Sequence, residues 1–130
     1  MTTATLELLA PRADVWAFLA EPYHLADWWP GITGVEPDRR GLAPGARWKV
    51  HARKQNLFTG ARTVETMLLV RDVAPYERWS FHVLALKLDA EVRLHATGEE
   101  RTEVTVVVSK GNAMHAVKRL YDLVQTAASL

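Results

Sequence analysis

The sequence predicts an α+β domain in which an antiparallel sheet of about six or seven strands packs on a C-terminal helix. Three observations carry this reading. Between residues 47 and 108 apolar and polar residues alternate with a period of two, as half-buried strands require. Residues 11–31, PRADVWAFLAEPYHLADWWPG, interrupt that pattern with two short helical segments after a first strand. After Asn112 the apolar period becomes 3.6 over about 17 residues, a helix of roughly 25 Å at 1.5 Å per residue. Consecutive strands with short connections favour a meander, and helices on one side of it give a layered α+β fold.

The elements follow in order. Thr2 to Leu9 alternates, with Ala4, Leu6 and Leu8 on one face and Thr3, Thr5 and Glu7 on the other. Pro11 suits the first turn of a helix, and Asp14 sits near the positive end of its dipole. Val15, Phe18 and Leu19 form its apolar stripe. Pro22 disfavours helical geometry at Glu21 and can open a second helix carrying Leu25, Trp28 and Trp29, which stops at Pro30-Gly31. Two adjacent tryptophans bring more apolar area than a pair of short helices can bury, so a sheet must receive them.

Ile32 to Glu36 reads as a short strand, and residues 38–46, DRRGLAPGA, as turn chemistry. Trp48, Val50 and Ala52 alternate with Arg47, Lys49, His51 and Arg53, and residues 54–60, ending in Thr59-Gly60, read as a connection. Arg62 to Val73 is a long strand with Val64, Leu68 and Val70 on one face and Met67 and Leu69 on the other. Ala74-Pro75 breaks it. Tyr76 to Leu88 reads as one further strand, with Trp79, Phe81, Val83 and Ala85 inward and Asp89 as the turn after it. Ala90, Val92, Leu94 and Ala96 then alternate up to the loop Gly98-Glu99-Glu100, and Thr102, Val104, Val106 and Val108 follow. Asn112 can cap the last helix, whose stripe is Met114, Val117, Tyr121, Val124 and Ala128, with Leu120 on its border.

Composition narrows the function classes. The 130 residues fit one domain spanning 1–130, and 48% apolar with 24% charged residues is ordinary for a globular protein. Sixteen basic against fifteen acidic residues leave a net charge of +1, no field to draw nucleic acid or an anionic membrane. The absence of cysteine excludes disulfides, thiol catalysis and thiolate metal sites. No segment has the roughly 20 apolar residues of a membrane span, and the N-terminus lacks the pattern of a signal peptide. A cytoplasmic monomer or homodimer, without membrane insertion, is the expectation.

Several residue groups resemble the START-like superfamily, also known as SRPBCC, helix-grip or polyketide cyclase/dehydrase-like proteins. They are Pro11 with Val15, Trp16 and Leu19; Glu21-Pro22 followed by Trp28-Trp29-Pro30-Gly31; Pro44-Gly45-Ala46-Arg47-Trp48; Asp72, Pro75, Arg78, Trp79 and Phe81; and Thr102-Glu103-Val104-Thr105-Val106. The resemblance covers nearly the whole chain and rests on scaffold residues. It implies a curved sheet gripping the C-terminal helix, with a cavity between them. That superfamily includes lipid carriers, hormone receptors and aromatase/cyclases, so the fold alone does not choose an activity.

The chemistry-bearing residues are few. The five histidines, His24, His51, His82, His95 and His115, show no metal-ligand spacing, and alternation turns His51, His82 and His95 to solvent. No nucleophile elbow, phosphate loop or dinucleotide fingerprint is present, so no metal, no cofactor and no catalytic set is expected. The basic run Arg47, Lys49, Arg53 and Lys54 reads either as a solvated strand face or as an anion-binding patch. Trp16 and Trp28 clamp the helical pair to the sheet, while Trp29, Trp48 and Trp79 either line a cavity or fill the core. A cavity between sheet and helix would be lined by Trp29, Trp48, Val64, Thr66, Trp79, Phe81, Val92, Leu94, Met114, Val117 and Tyr121. Its occupant would be a small hydrophobic, lipid- or polyketide-like molecule. The alternative is a polyketide cyclase, aromatase or dehydratase, for which Tyr121 is the main proton-transfer candidate on an inward face otherwise almost free of titratable groups. A third reading, a protein-interaction or dimerisation module, rests on the second apolar face at Met67, Leu69, Leu84 and Leu86.

Overall fold

A computed structural model describes residues 1–56, 58 and 60–129, the side chains of residues 55–56 and 126–129 excepted. Its strands are β1 (Thr2–Leu8), β2 (Ile32–Glu36), β3 (Arg47–Asn56), β4 (Gly60–Ala74), β5 (Arg78–Val83), β6 (Leu88–Gly98) and β7 (Arg101–Val108). They form one antiparallel sheet in the order β1-β7-β6-β5-β4-β3-β2. From β2 to β7 each strand pairs with its successor, and β1 returns to the outer edge of β7. Irregularities between Ile32 and Gly34, between Val70 and Val73, and between Ala96 and Gly98 bend the sheet. The result is the helix-grip architecture of START-like proteins.

The two short helices arise much as the prolines dictate. Helix α1 (Arg12–Leu19) starts where Pro11 is extended, its carbonyl accepting from the Asp14 and Val15 amides. It buries Val15, Trp16 and Leu19. The Glu21 carboxylate accepts from the Tyr23 amide at the start of a single 3₁₀ turn, Pro22–His24, and α2 (Leu25–Trp28) follows directly. Trp29 falls outside the expected helix, with φ −86° and ψ 118°, and Gly31 then takes φ +88°, where a side chain would be strained. That corner lets Gly31 O accept from the Arg53 amide at 2.7 Å, fixing the helical pair to β3.

Helix α3 (Ala113–Ser129) begins at Asn112, whose Oδ1 accepts from the amides of Met114 at 3.0 Å and His115 at 3.3 Å. Its buried stripe is Ala113, Ala116, Val117, Leu120 and Val124. Met114 and Tyr121, expected at the centre, are half-buried on the flank, and Leu120, expected on the border, is fully buried. The two alanines explain the rotation: small side chains let the helix axis approach the sheet, and the larger residues slide to the edges. Ala128 of the expected stripe has its side chain outside the described residues. The Arg119 guanidinium donates to Asp27 O at 2.5 Å, and Thr102 Oγ1 to Ala10 O at 2.8 Å. These bonds hold α2 to α3 and β7 to the corner before α1.

Three boundaries differ from those the sequence suggests. The connection assigned to residues 54–60 is mostly strand, since the β3–β4 ladder runs from Arg47↔Leu69 to Asn56↔Gly60; Thr59 lies outside the described residues. The single strand expected over Tyr76 to Leu88 is two elements, and Asp89 belongs to β6 rather than to a turn. The chain reverses at Leu84–Lys87, closed by the Lys87 amide donating to Leu84 O at 3.1 Å. No glycine, proline or asparagine marks this reversal, because Lys87 itself takes the left-handed φ of 49°. Of the histidines expected at the surface, His95 is exposed, but His51 and His82 are half-buried, and His82 Nδ1 lies 2.9 Å from Asp89 Oδ1.

The loop over residues 38–46 is organised by Asp38. Its two carboxylate oxygens accept from the Arg40 and Arg47 amides, each at 2.9 Å, and the loop in turn offers Gly41 O to the Trp48 indole N–H at 2.8 Å.

Two outcomes follow for stability. Trp28 is 1% exposed, so Trp28→Ala should cost roughly 3–5 kcal/mol in a denaturant melt, and a loss under about 1 kcal/mol would place Trp28 at the surface. Chiefly the Arg47 amide, with those of Arg40 and Gly41, holds the Asp38 carboxyl below its ordinary 3.8. Its contribution is therefore full above that value and is lost as pH falls through the lowered one. Acid unfolding should be shallower in Asp38→Asn than in the parent over that range; equal slopes would show that Asp38 carries no linkage.

Candidate functional site

Where α3 begins, the sheet and the helical pair leave a half-open cleft of about 610 Å³. That volume falls within the about 300–1,000 Å³ typical of small-molecule sites. One side is Trp29 and Pro30 with Arg53 and Lys54 of β3; the other is the reversal Ala85–Lys87 with Leu88. Val108, the segment Lys110–Asn112 and Ala116 of α3 complete it. Its lining is mainly apolar, and among the described residues it holds no carboxylate, imidazole, hydroxyl or thiol.

Each wall is positioned by hydrogen bonds that the sequence makes available. Gly31 O holds the Arg53 amide, which fixes the Trp29-Pro30 corner against β3. The Leu84 amide donates to Met67 O at 3.0 Å, and the Ala85 amide donates to Thr66 Oγ1 at 2.9 Å. Both bonds anchor the 84–87 reversal on β4. On the opposite side the Asp89 amide donates to Ser109 Oγ and the Ser109 amide to Asp89 O, both at 2.9 Å. This reciprocal pair joins the start of β6 to the end of β7.

Of the eleven residues expected to line a cavity, Trp29 alone lines this cleft. Trp48, Trp79, Phe81, Val92, Leu94 and Val117 are buried in a packed core, from 0% to 6% exposed. Val64, Thr66, Met114 and Tyr121 are half-buried and stand outside the lining. The centre of the grip is filled because the aromatic rings pack on one another: Trp29 lies edge-on to Phe81 at 5.1 Å, and Trp79 is 4.8 Å from Phe81 and 5.7 Å from Trp48. Sequence reasoning missed Ala85, Leu86, Lys87 and Leu88 because they read as part of a strand. It missed Ala116 because a small residue gives little weight to a helical stripe.

Charge is unevenly distributed around the fold. Lys49 sits between Glu36 at 3.6 Å and Glu65 at 3.4 Å, and those carboxylates, Glu65 foremost, hold its pKa above the ordinary value. Arg71 pairs with Asp89, Arg93 with Glu91, and Arg101 with Glu7. A hollow of about 580 Å³ on the solvent side of β5–β7 mixes Arg12, Arg78 and Arg93 with Glu77, Glu91 and Glu103. Among the described residues no group of three His, Asp or Glu side chains could hold a metal ion, and no helix is long and apolar enough to cross a membrane.

Residues 2–126 match the model of the family described as polyketide cyclase / dehydrase and lipid transport. The chain belongs to that family. Its fold recurs in solved structures at low identity. A protein of Deinococcus radiodurans is 16% identical with a TM-score of 0.73, covering 99% of this chain and 98% of its own. A START superfamily protein of Mycobacterium smegmatis is 13% identical with a TM-score of 0.72, at 97% of both chains. The di-domain ARO/CYC StfQ of the steffimycin biosynthetic pathway is 17% identical with a TM-score of 0.66; the match covers 98% of this chain and 45% of that one. No curated protein matches. At these identities the family member shares its fold with the three structures, and the cleft's occupant must be argued from its own lining.

Thr66 thus has a structural part beside the cleft rather than inside it. Thr66→Val should cost about 0.5–1.5 kcal/mol, the net worth of one hydrogen bond, and should speed hydrogen exchange at the Ala85 amide. Unchanged exchange would show that the 84–87 reversal is held by other means.

Proposed function

We propose that this protein binds a small hydrophobic molecule in the cleft between the sheet and the start of α3. The observation that carries the reading is the lining itself: Trp29, Leu86, Leu88, Val108 and Ala116 present apolar surface in a concave space of about 610 Å³. Burial of apolar ligand surface there contributes about 25 cal/mol per Å² before the costs of association. Membership of a family described by cyclase, dehydrase and lipid transport supports a lipid- or polyketide-like occupant.

A cyclase, aromatase or dehydratase is the second reading, favoured by the family description and by the fold shared with StfQ. Such chemistry needs a proton donor or acceptor within hydrogen-bond reach of the reacting chain. Among the described residues the lining offers no carboxylate, imidazole or hydroxyl, and Tyr121 stands outside it, which supports carriage over catalysis. The dimerisation reading keeps a narrower basis: Met67 and Leu84 are exposed, while Leu69 is half-buried and Leu86 belongs to the cleft.

The neutral fluorescent probe N-phenyl-1-naphthylamine tests the first reading. It should brighten on binding, quench tryptophan emission through Trp29, and raise the melting temperature. At a hundredfold excess over its Kd the stabilisation is about 2.7 kcal/mol, or roughly 10 °C for a chain of this size. Ala85→Trp, in the half-buried reversal, should fill the cleft and abolish all three effects while the protein still melts cooperatively. Undiminished binding to that variant, or none to the parent, would overturn the reading.

A further inference from the structure

We propose that the molecule held in this cleft is an amphiphile with an anionic end, a carboxylate or a phosphate, seated at the mouth among Lys54, Lys87 and Lys110. The inference rests on the reading that the cleft binds a hydrophobe, and it adds which kind.

Four of the thirteen residues lining the cleft are basic, Arg53, Lys54, Lys87 and Lys110, and none is acidic. All four are exposed, and the chain as a whole carries a net charge of only +1. Of the twelve basic residues elsewhere, four, Lys49, Arg71, Arg93 and Arg101, pair with carboxylates. Among the described residues no carboxylate lies within ion-pair distance of the four at the cleft. The basic run Arg47–Lys54 therefore divides: Lys49 is neutralised across the sheet, while Lys54, in register with inward-facing Trp48, Val50 and Ala52, ends at the mouth. Cations of one sign around a concave apolar surface focus a positive potential into it. They repel one another until an anion enters, so the cleft selects a ligand whose polar end is negative and whose body is apolar.

Lys87 supplies an independent observation. Its φ of 49° is a left-handed conformation that glycine adopts at lower conformational cost. The reversal thus carries a lysine where folding alone favours glycine, and the side chain that results lines the cleft.

The experiment compares dodecanoate, dodecyl phosphate and dodecanol, all below their aggregation limits, by displacement of the neutral probe at low and high salt. An exposed ion pair is worth a factor of about two to five, so three lysines should favour an anionic end over the alcohol roughly tenfold or more at low salt. The preference should shrink as salt screens it. Lys54→Gln/Lys87→Gln/Lys110→Gln should lower the ratio of anion to alcohol affinity to no more than the factor of about two to five that Arg53 can still supply. Lys87→Gly alone should reduce that ratio about two- to five-fold without lowering the melting temperature, since the strained position then suits its residue. The two anions identify the end group by which is held more tightly.

Equal binding of all three amphiphiles overturns the anionic assignment and leaves hydrophobe binding intact. An anion preference undiminished by the triple substitution places the charge recognition elsewhere and overturns it too. Failure of all three to displace the probe, or of the probe to bind, overturns both readings together.

Discussion

The interior is held by an unbroken chain of aromatic rings. Trp28 meets Trp29 edge-on at 5.2 Å, Trp29 meets Phe81 at 5.1 Å, Phe81 meets Trp79 at 4.8 Å, and Trp79 meets Trp48 at 5.7 Å. Edge-to-face and tilted pairs of this kind are each worth about 0.5–1.5 kcal/mol beyond their area. Their geometry matters more than their sum. The chain runs from α2 to Trp79 on β5 and Trp48 on β3, so the helical pair cannot move without disturbing the middle of the sheet. It also fills the middle of the interior, where each of these rings is at most 5% exposed. Among the described residues the indole N–H of Trp79 is the one buried side-chain polar group with no hydrogen-bond partner in the protein. Leaving such a donor unpaired costs about 1–3 kcal/mol, which the surrounding ring contacts must outweigh.

A filled centre shifts the available space to the end of the grip. There the walls are not ladder strands but a corner, a reversal and the start of a helix, each fixed by a few bonds. Gly31 O to the Arg53 amide, Thr66 Oγ1 to the Ala85 amide and the Asp89–Ser109 pair set the opening. These segments contribute less to the core than Trp48 or Phe81, and their side chains are correspondingly free to differ in charge. That is where four basic residues stand together without acids. The same division between a packed core and adaptable ends explains why a family with one fold can serve several chemistries.

The fold was legible because its signals are redundant. Alternation over β3 to β7, proline at both helical starts and Asn112 before α3 each describe a local element, and only one layered arrangement lets their apolar faces meet. The candidate site was less legible for three physical reasons. Periodicity tells which side chains point inward, not whether they touch one another or leave a gap. Trp48, Trp79, Phe81 and Val92 do point inward, but they pack closely. The second reason is local. The reversal at Leu84–Lys87 uses Leu, Ala, Leu and Lys, residues that mark no turn, so its φ of 49° at Lys87 was invisible and two strands read as one. Small residues added a third, milder error, since Ala113 and Ala116 rotate α3 toward themselves and leave Met114 and Tyr121 at the edge.

Trp29 is the point at which core and cleft become one system. It is 5% exposed, it touches Trp28 and Phe81, and it is also the aromatic wall of the cleft. A ligand lying against it, as proposed, would contact an inner link of the ring chain, between Trp28 and Phe81. On that proposal binding and folding would be coupled there: any order a ligand imposed on Trp29 would be felt by Phe81 on β5. For the same reason, changes at Trp29 cannot separate a lost binding surface from a loosened core. The rim lysines are exposed and, among the described residues, make no ring contact, so their substitution leaves the aromatic chain in place. On the proposed function, affinity from apolar burial would rest on a residue the fold cannot spare. Selectivity from charge would rest on residues the fold does not need.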